Sequence, residues 1–340
     1  MKAPAFWWQG DGGWRAALLA PVAALYGLLA ARRMNRPGRD TGVPVICIGN
    51  FVAGGAGKTP LALLIGDKLE QAGHRPAFLS RGYGGRLAGP LVVDRDTHDA
   101  RDVGDEPLLL DAVATTVVSR DRDHGARLAV SLGAGAIVMD DGLQNPALAK
   151  TLTLAAVDAA TGIGNGRCLP AGPLRAPLAV QLARVDALVL IGAGQAGETL
   201  AATAGALGKP VLRADLEPDE QAAAALQGRR VLAFAGIGRP DKFFETLRQV
   251  GADLVETRSF GDHAPLRPAQ IRDLTETARR ENLALVTTAK DHARMAGRPD
   301  CAELAAATTV LPVKLTLRGG DDARLDELLM AALAKSQKAI

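Results

Sequence analysis

Short apolar runs rich in Val, Ile and Leu punctuate the chain at residues 45–48, 76–80, 91–94, 115–119, 136–139, 153–157, 185–190, 210–212, 231–235, 254–255, 283–288 and 310–317. In most of them the apolar positions are continuous rather than alternating, the pattern of strands buried on both faces. Helical stretches separate them, among them Leu61-Ala62-Leu63-Leu64-Ile65 behind Pro60, the segment entering through Phe243 and Leu247, and residues 325–334 near the end. Strands alternating with helices predict an α/β fold on mostly parallel sheets with right-handed crossovers. A second unit is expected to start around residues 220–228. The chain then divides into an N-terminal helix (1–36), a core (37–220) and a smaller α/β domain (221–340).

One run breaks this pattern. Residues 16–31 are apolar almost throughout, preceded by Phe6, Trp7, Trp8 and Trp14 and followed by Arg32, Arg33 and Arg36. As a helix the run covers about 24 Å, short of the ~20 residues a full span takes. Tryptophans at one end and arginines at the other are what an interfacial anchor uses. A buried amphipathic helix is the plain alternative. A secretory signal fits poorly, because no small-residue cleavage site follows. The expectation is a membrane-seated helix, monotopic or a short span, with the rest of the chain cytoplasmic.

The chemistry gathers behind the first buried run. Val45-Ile46-Cys47-Ile48 leads through a glycine-rich bend to Lys58-Thr59 and a helix. Strand, glycine bend, Lys-Thr and helix make a P-loop, whose backbone N–H groups and helix N-terminus cradle phosphate. Gly54, Gly55, Ala56, Gly57, Lys58, Thr59 and Pro60 are the expected ATP-binding residues. Lys58 would reach the β/γ-phosphates and the Thr59 hydroxyl would hold Mg²⁺. The pattern G-x-x-x-x-G-K-[ST] has glycine where this chain has Val52, so a simple glycine-rich turn competes. The flanking strand and helix favour nucleotide.

Ala136-Ile137-Val138-Met139 ends in Asp140-Asp141, an apolar strand ending in acid, the Walker B form. Adjacent aspartates at a strand end are costly unless a cation is near, so both are expected to join Thr59 in holding the metal. Asp102, Asp105 and Glu106 precede an apolar helical stretch, where acids either cap the helix or serve as base or metal-site acid. Arg81 and Tyr83 sit in a glycine loop ending the second run, where loops of an open α/β sheet line the ligand crevice. Arg122 opens a helix and either clamps a phosphate or is solvated. Arg175 closes a long Gly/Pro-rich loop, and such loops are often functional. Asp262-His263 is an acid/base pair or merely a solvated loop.

The remaining composition narrows the field. The 340 residues carry a formal net charge of +3, which gives no case for nucleic acid. Cys47, Cys168 and Cys301 are scattered and odd in number, as in a reducing cytoplasm.

Gly54 to Pro60, Ser80-Arg81-Gly82-Tyr83-Gly84, Gly104-Asp105-Glu106-Pro107, Asp140-Asp141-Gly142-Leu143-Gln144, Leu169-Pro170-Ala171-Gly172-Pro173-Leu174-Arg175, Phe234-Ala235-Gly236-Ile237-Gly238, Asp262-His263 and Lys290-Asp291, in this order, resemble the tetraacyldisaccharide 4′-kinase family. The resemblance runs over nearly the whole chain. It implies transfer of the γ-phosphate of MgATP to the 4′-hydroxyl of a tetraacylated glucosamine disaccharide 1-phosphate, forming lipid IVA at the cytoplasmic face of the bacterial inner membrane. It also implies a P-loop core with a smaller domain closing over the nucleotide, and no obligate protein partner. Asp105 would take the hydroxyl proton with His263 as its partner, and Asp140 and Asp141 would manage Mg²⁺. Arg81, Tyr83, Arg122 and Arg175 would contact substrate. Asn145 and Ala176 depart from the family's usual His and Glu at those places. The rival is a membrane-associated P-loop ATPase or GTPase switch, against which stand the missing N-K-x-D and Ala53 ahead of Gly54-Gly55.

Overall fold

The structure is a computed structural model that describes residues 3–262 and 264–337. Among them, thirteen strands form two sheets. They are β1 (Val45–Gly49), β2 (Pro76–Ser80), β3 (Leu91–Val92), β4 (Thr116–Val118), β5 (Ala136–Met139), β6 (Leu152–Asp158), β7 (Ala187–Ile191), β8 (Val211–Pro218), β9 (Arg230–Ala235), β10 (Asp253–Ser259), β11 (Ala284–Thr287), β12 (Thr308–Val310) and β13 (Val313–Leu317). The large sheet runs β13-β8-β7-β6-β1-β5-β2-β4-β3 and the small one β10-β9-β11-β12. All neighbours pair in parallel except the two edges of the large sheet, where β3 and β13 run antiparallel to β4 and β8.

The apolar runs dictate this. β1, β2, β5, β6 and β7 are buried at every position, which suits strands covered by helices on both faces. The helix Lys58–Gln71 lays Leu61, Ile65 and Leu69 on the same core as Ile46, Ile48 and Phe78. Its Gly66 is needed there, because a Cβ would stand 2.4 Å from the Phe78 ring. β1 lies between β5 and β6, so the segments leaving the carboxyl ends of β1, β2, β5 and β6 emerge together on one rim of the sheet.

The second unit differs at its end from the sequence expectation. Residues 310–317 read as one strand, but Pro312, which has no N–H to give a ladder, divides them. Val310 closes the small sheet, whereas Val313–Leu317 pairs with β8 of the large one. The helix Asp321–Gln337 then packs Leu325, Leu329 and Leu333 into the large sheet's core. Residues 313–337 therefore belong structurally with the large sheet and not with the domain drawn at 221–340. The chain crosses between units twice, once after β8 and once after β12.

The apolar N-terminal run forms the helix Gly13–Met34. Ala16, Ala23, Gly27 and Met34 face the protein, and a Cβ at Gly27 would stand 3.2 Å from Cys168 Sγ and 3.4 Å from the Pro177 ring. The opposite face is apolar and open: Trp14, Leu18, Val22, Leu25, Leu28 and Leu29 are all at least half exposed. The helix is long and apolar enough to cross a membrane, yet only 17% of its most apolar window is buried within the protein.

Candidate active site

The P-loop leaves β1 through Asn50 and Phe51 and closes at Gly57, which takes φ +82. A Cβ there would stand 2.4 Å from Ile191 Cδ1, so position 57 has both a conformational and a steric reason to be glycine. Val52, where the motif has glycine, is buried and forms an antiparallel bridge to Leu174. The long loop ending at Arg175 thus buttresses the P-loop: Ala53 N–H donates to Pro173 O at 2.8 Å and Arg175 N–H to Phe51 O at 2.9 Å. The same loop reaches the N-terminal segment, since Trp7 Nε1 donates to Pro170 O at 3.0 Å and Asn165 N–H to Trp7 O at 2.7 Å.

The strand-end acids lie beside Lys58. Asp141 takes both N–H bonds of Arg175 Nη1 at 2.9 Å and stands 3.8 Å from Lys58 Nζ. Burial raises its carboxyl, but Lys58 and Arg175 more than reverse this and hold it below the ordinary carboxylate range. Asp140 is the opposite case. Fully buried and faced by the negative charges of Glu106 and Asp141, it is pushed up to about 7. Its Oδ1 is buried with no hydrogen-bond partner. Arg122 lies beneath the pair, 3% exposed, donating to Ser119 O rather than facing an open crevice. Burial lowers its guanidinium to about 10, with Asp140 and Asp141 opposing.

The acid-rich segment separates into three roles. Asp102 caps the turn Ala100–Val103 in a reciprocal box with Asp99. Asp105 and Glu106 open the next helix, Asp105–Leu110, and face the second unit. Glu106 accepts from Thr59 Oγ1 at 3.3 Å and from Lys290 Nζ at 2.6 Å. Burial raises Glu106, but Lys290 and then Lys58 overcome that, and the group is held below its ordinary value. Asp105 Oδ2 accepts Nε and Nη2 of Arg294 at 2.8 and 2.6 Å, in a pair that is almost wholly buried. On the other flank Asp158, at the end of β6, accepts Arg239 and Lys242 of the second unit, each at 2.7 Å. Sequence reasoning leaves Glu106 open between helix cap and base or metal-site acid, and Lys290 and Arg294 are absent from the expected catalytic, binding and metal residues. Only the motifs Gly104-Asp105-Glu106-Pro107 and Lys290-Asp291 marked their neighbourhood.

Arg81 and Tyr83 are exposed on the loop after β2, which packs through Gly82 and Gly85 on residues 102–104, just ahead of Asp105. His263 lies outside the described residues. Gly54, Gly55, Ala56, Lys58, Thr59 and Pro60 form the loop and first turn beneath the second unit, where a Cβ on Gly238 would stand 4.0 Å from Gly55 N.

These oxygens fit Mg²⁺. Thr59 Oγ1, Glu106 and Asp140 offer hard donors, and the orphaned Asp140 Oδ1 is a buried acceptor of the kind a hard cation satisfies. Among the described residues no three His, Cys, Asp or Glu side chains build a closed metal cage. Mg²⁺ seldom uses one, being shared with phosphates and water.

A nine-stranded, mostly parallel sheet with a Lys-Thr glycine loop after its central strand and Asp140-Asp141 after the neighbouring one defines a P-loop NTPase-type protein. The profile of the family described as tetraacyldisaccharide-1-P 4′-kinase matches residues 15–334. A tetraacyldisaccharide 4′-kinase of Methylobacterium nodulans is 55% identical over 331 residues, 97% of this chain and 96% of its own. One from a Bradyrhizobium species is 51% identical over 338 residues, 99% and 97% of the two chains. A crystal structure described as the "apo" form of LpxK from Aquifex aeolicus in complex with ATP superposes with a TM-score of 0.71 at 26% identity, covering 94% of this chain and 99% of that one. The chain belongs to the tetraacyldisaccharide 4′-kinase family.

Proposed function

We propose that the protein transfers the γ-phosphate of MgATP to the 4′-hydroxyl of a tetraacylated glucosamine disaccharide 1-phosphate, yielding lipid IVA. The observation that carries the site assignment is the convergence of Lys58-Thr59, Asp140-Asp141 and the Asp105-Glu106 pair on one rim, under cations of the second unit. Phosphoryl transfer asks for positioning and charge neutralisation more than covalent chemistry, and this site is built of both. Lys58 holds the β- and γ-phosphates, and the loop N–H groups of residues 54–57 bind their oxygens. Thr59, Asp140 and Asp141, with Glu106 beside them, would hold Mg²⁺, which would supply positive charge against the phosphates. Asp105 receives the hydroxyl proton as the new oxygen–phosphorus bond forms and the bond from the γ-phosphorus to the β–γ bridging oxygen breaks, releasing ADP. His263 assists Asp105, on the strength of the family resemblance. Arg81 and Tyr83, exposed beside the Asp105 helix, contact the sugar lipid. Arg175 and Arg122 act from within by holding the acid pair.

The open apolar face of Gly13–Met34 seats the protein in the cytoplasmic leaflet of the bacterial inner membrane, where an acylated acceptor resides. The loop of residues 164–175 supports this reading, because it touches both the anchor segment and the P-loop.

The test is transfer of labelled γ-phosphate to the detergent-solubilised tetraacyl disaccharide 1-phosphate by wild type, Lys58→Ala, Asp105→Ala and His263→Ala. Labelled lipid that disappears in each variant, with folding intact, supports the reading. ATP hydrolysis with no labelled lipid would overturn it in favour of a membrane-associated ATPase switch.

A further inference from the structure

The second unit presents two cations of one short helix, Ala289–Met295, to two successive acids of the core. Lys290 takes Glu106 and Arg294 takes Asp105. Arg294 is the more constrained. Its Nη1 donates to Gly236 O at 2.6 Å and to Asp291 Oδ1 at 2.8 Å, which fixes that edge of the guanidinium to its own unit. Asp291 is pinned in turn, accepting Gly236 N–H at 2.9 Å and Thr288 Oγ1 at 2.6 Å. The remaining edge, Nε and Nη2, is spent on one oxygen of Asp105.

Docking alone does not explain this arrangement. Lys290–Glu106 and the Asp158 pairs already tie the units together. A buried ion pair gains little net stability, because desolvation offsets the attraction. What the fork does supply is geometry, since its two N–H bonds to Oδ2, together with the Glu106 N–H on Oδ1 at 3.1 Å, fix the plane of the carboxylate. We infer that Arg294 is a positioning residue of the second unit: it orients the Asp105 carboxylate for the incoming hydroxyl, so the proton acceptor is complete only while the two units are docked. The inference rests on Asp105 being that acceptor.

The experiment measures kcat and KM for ATP and for the acceptor lipid in full-length Arg294→Met and Arg294→Lys, each also combined with Asp105→Asn. Displacing a reacting group by about 1 Å costs up to ~10²-fold. Arg294→Met is therefore expected to lower kcat by about 10- to 100-fold, with KM for ATP within about threefold of wild type. Arg294→Lys, which keeps one charged donor, recovers part of the loss. Residues acting as a unit are non-additive, so Arg294→Met should cost less than about threefold more in the Asp105→Asn background. ATP binding by each variant is measured alongside to show that the fold persists.

The inference is overturned if Arg294→Met keeps wild-type kcat, or if it costs as much with Asp105→Asn as without it, which is the mark of a merely structural contact. Wild-type turnover by Asp105→Asn alone removes the acceptor assignment, and the inference with it.

Discussion

Asp140 should cost the ligand-free protein stability, and Asp140→Asn should return it. The carboxyl is buried, faces Glu106 and Asp141, and is raised from an ordinary 3.8 to about 7. The native state therefore holds this proton more tightly than the unfolded chain does. The penalty is absent below pH 4, grows as pH rises, and is complete above pH 7. Three pH units at 1.36 kcal/mol each set an upper bound of about 4 kcal/mol. The Asn amide inherits the unsatisfied buried position, which returns roughly 1–3 kcal/mol of that. A net gain on the order of 1–3 kcal/mol at pH 8 is left, worth a few degrees in a protein of this size. Thermal melts in EDTA without nucleotide, at pH 8 and pH 5.5, read it directly. Asp140→Asn should melt above wild type at pH 8 and lose about 2 kcal/mol of that advantage at pH 5.5. MgATP should then raise wild type more than the variant, while lipid phosphorylation by the variant collapses. A variant that melts at or below wild type at pH 8, or a gap that ignores pH, would refute the reasoning.

Two further outcomes follow from the same geometry. Glu106→Gln removes the charge between Thr59 and Lys290, so the Mg²⁺ concentration for half-maximal transfer should rise by about tenfold; a titration unchanged from wild type would place Glu106 outside the metal site. Leu18→Glu with Leu25→Glu puts two charges on the open face of Gly13–Met34. Flotation with anionic phospholipid vesicles should fall sharply while ATP binding is kept, and equal flotation would detach the helix from the membrane reading.

The sequence made local chemistry legible and distant pairing illegible. The P-loop and the Asp140-Asp141 strand end are read from contiguous residues, because phosphate cradling is done by a few successive backbone groups. The strands were equally open to reading, since continuous apolar runs admit few other uses, and 76–80 falls on the residues of β2. Arg122 was not: a basic residue opening a helix looks solvated, whereas this one is buried and donates to Ser119 O. Nor was the return of 313–337, where two strand-like pieces are separated by nothing but Leu311-Pro312. The pairings of Glu106 with Lys290 and Asp105 with Arg294 span 184 and 189 residues, a separation no local periodicity encodes.

That separation bears on how the site works. Among the described residues, the rim acids that the core does not neutralise itself meet cations from the second unit, Asp140 apart: Asp105 meets Arg294, Glu106 meets Lys290 and Asp158 meets Arg239 and Lys242. Asp140, the exception, is the one raised toward neutrality, and it stands where the metal is expected. On the proposed assignment MgATP would bring the same kinds of charge, a divalent cation for Asp140 and polyphosphate for Lys58. Binding would then redistribute a set of pairs that already spans the two units, and docking of those units would become part of the electrostatics of phosphoryl transfer. The second unit earns its place by supplying this complement of cations, since the large sheet has a core of its own without it.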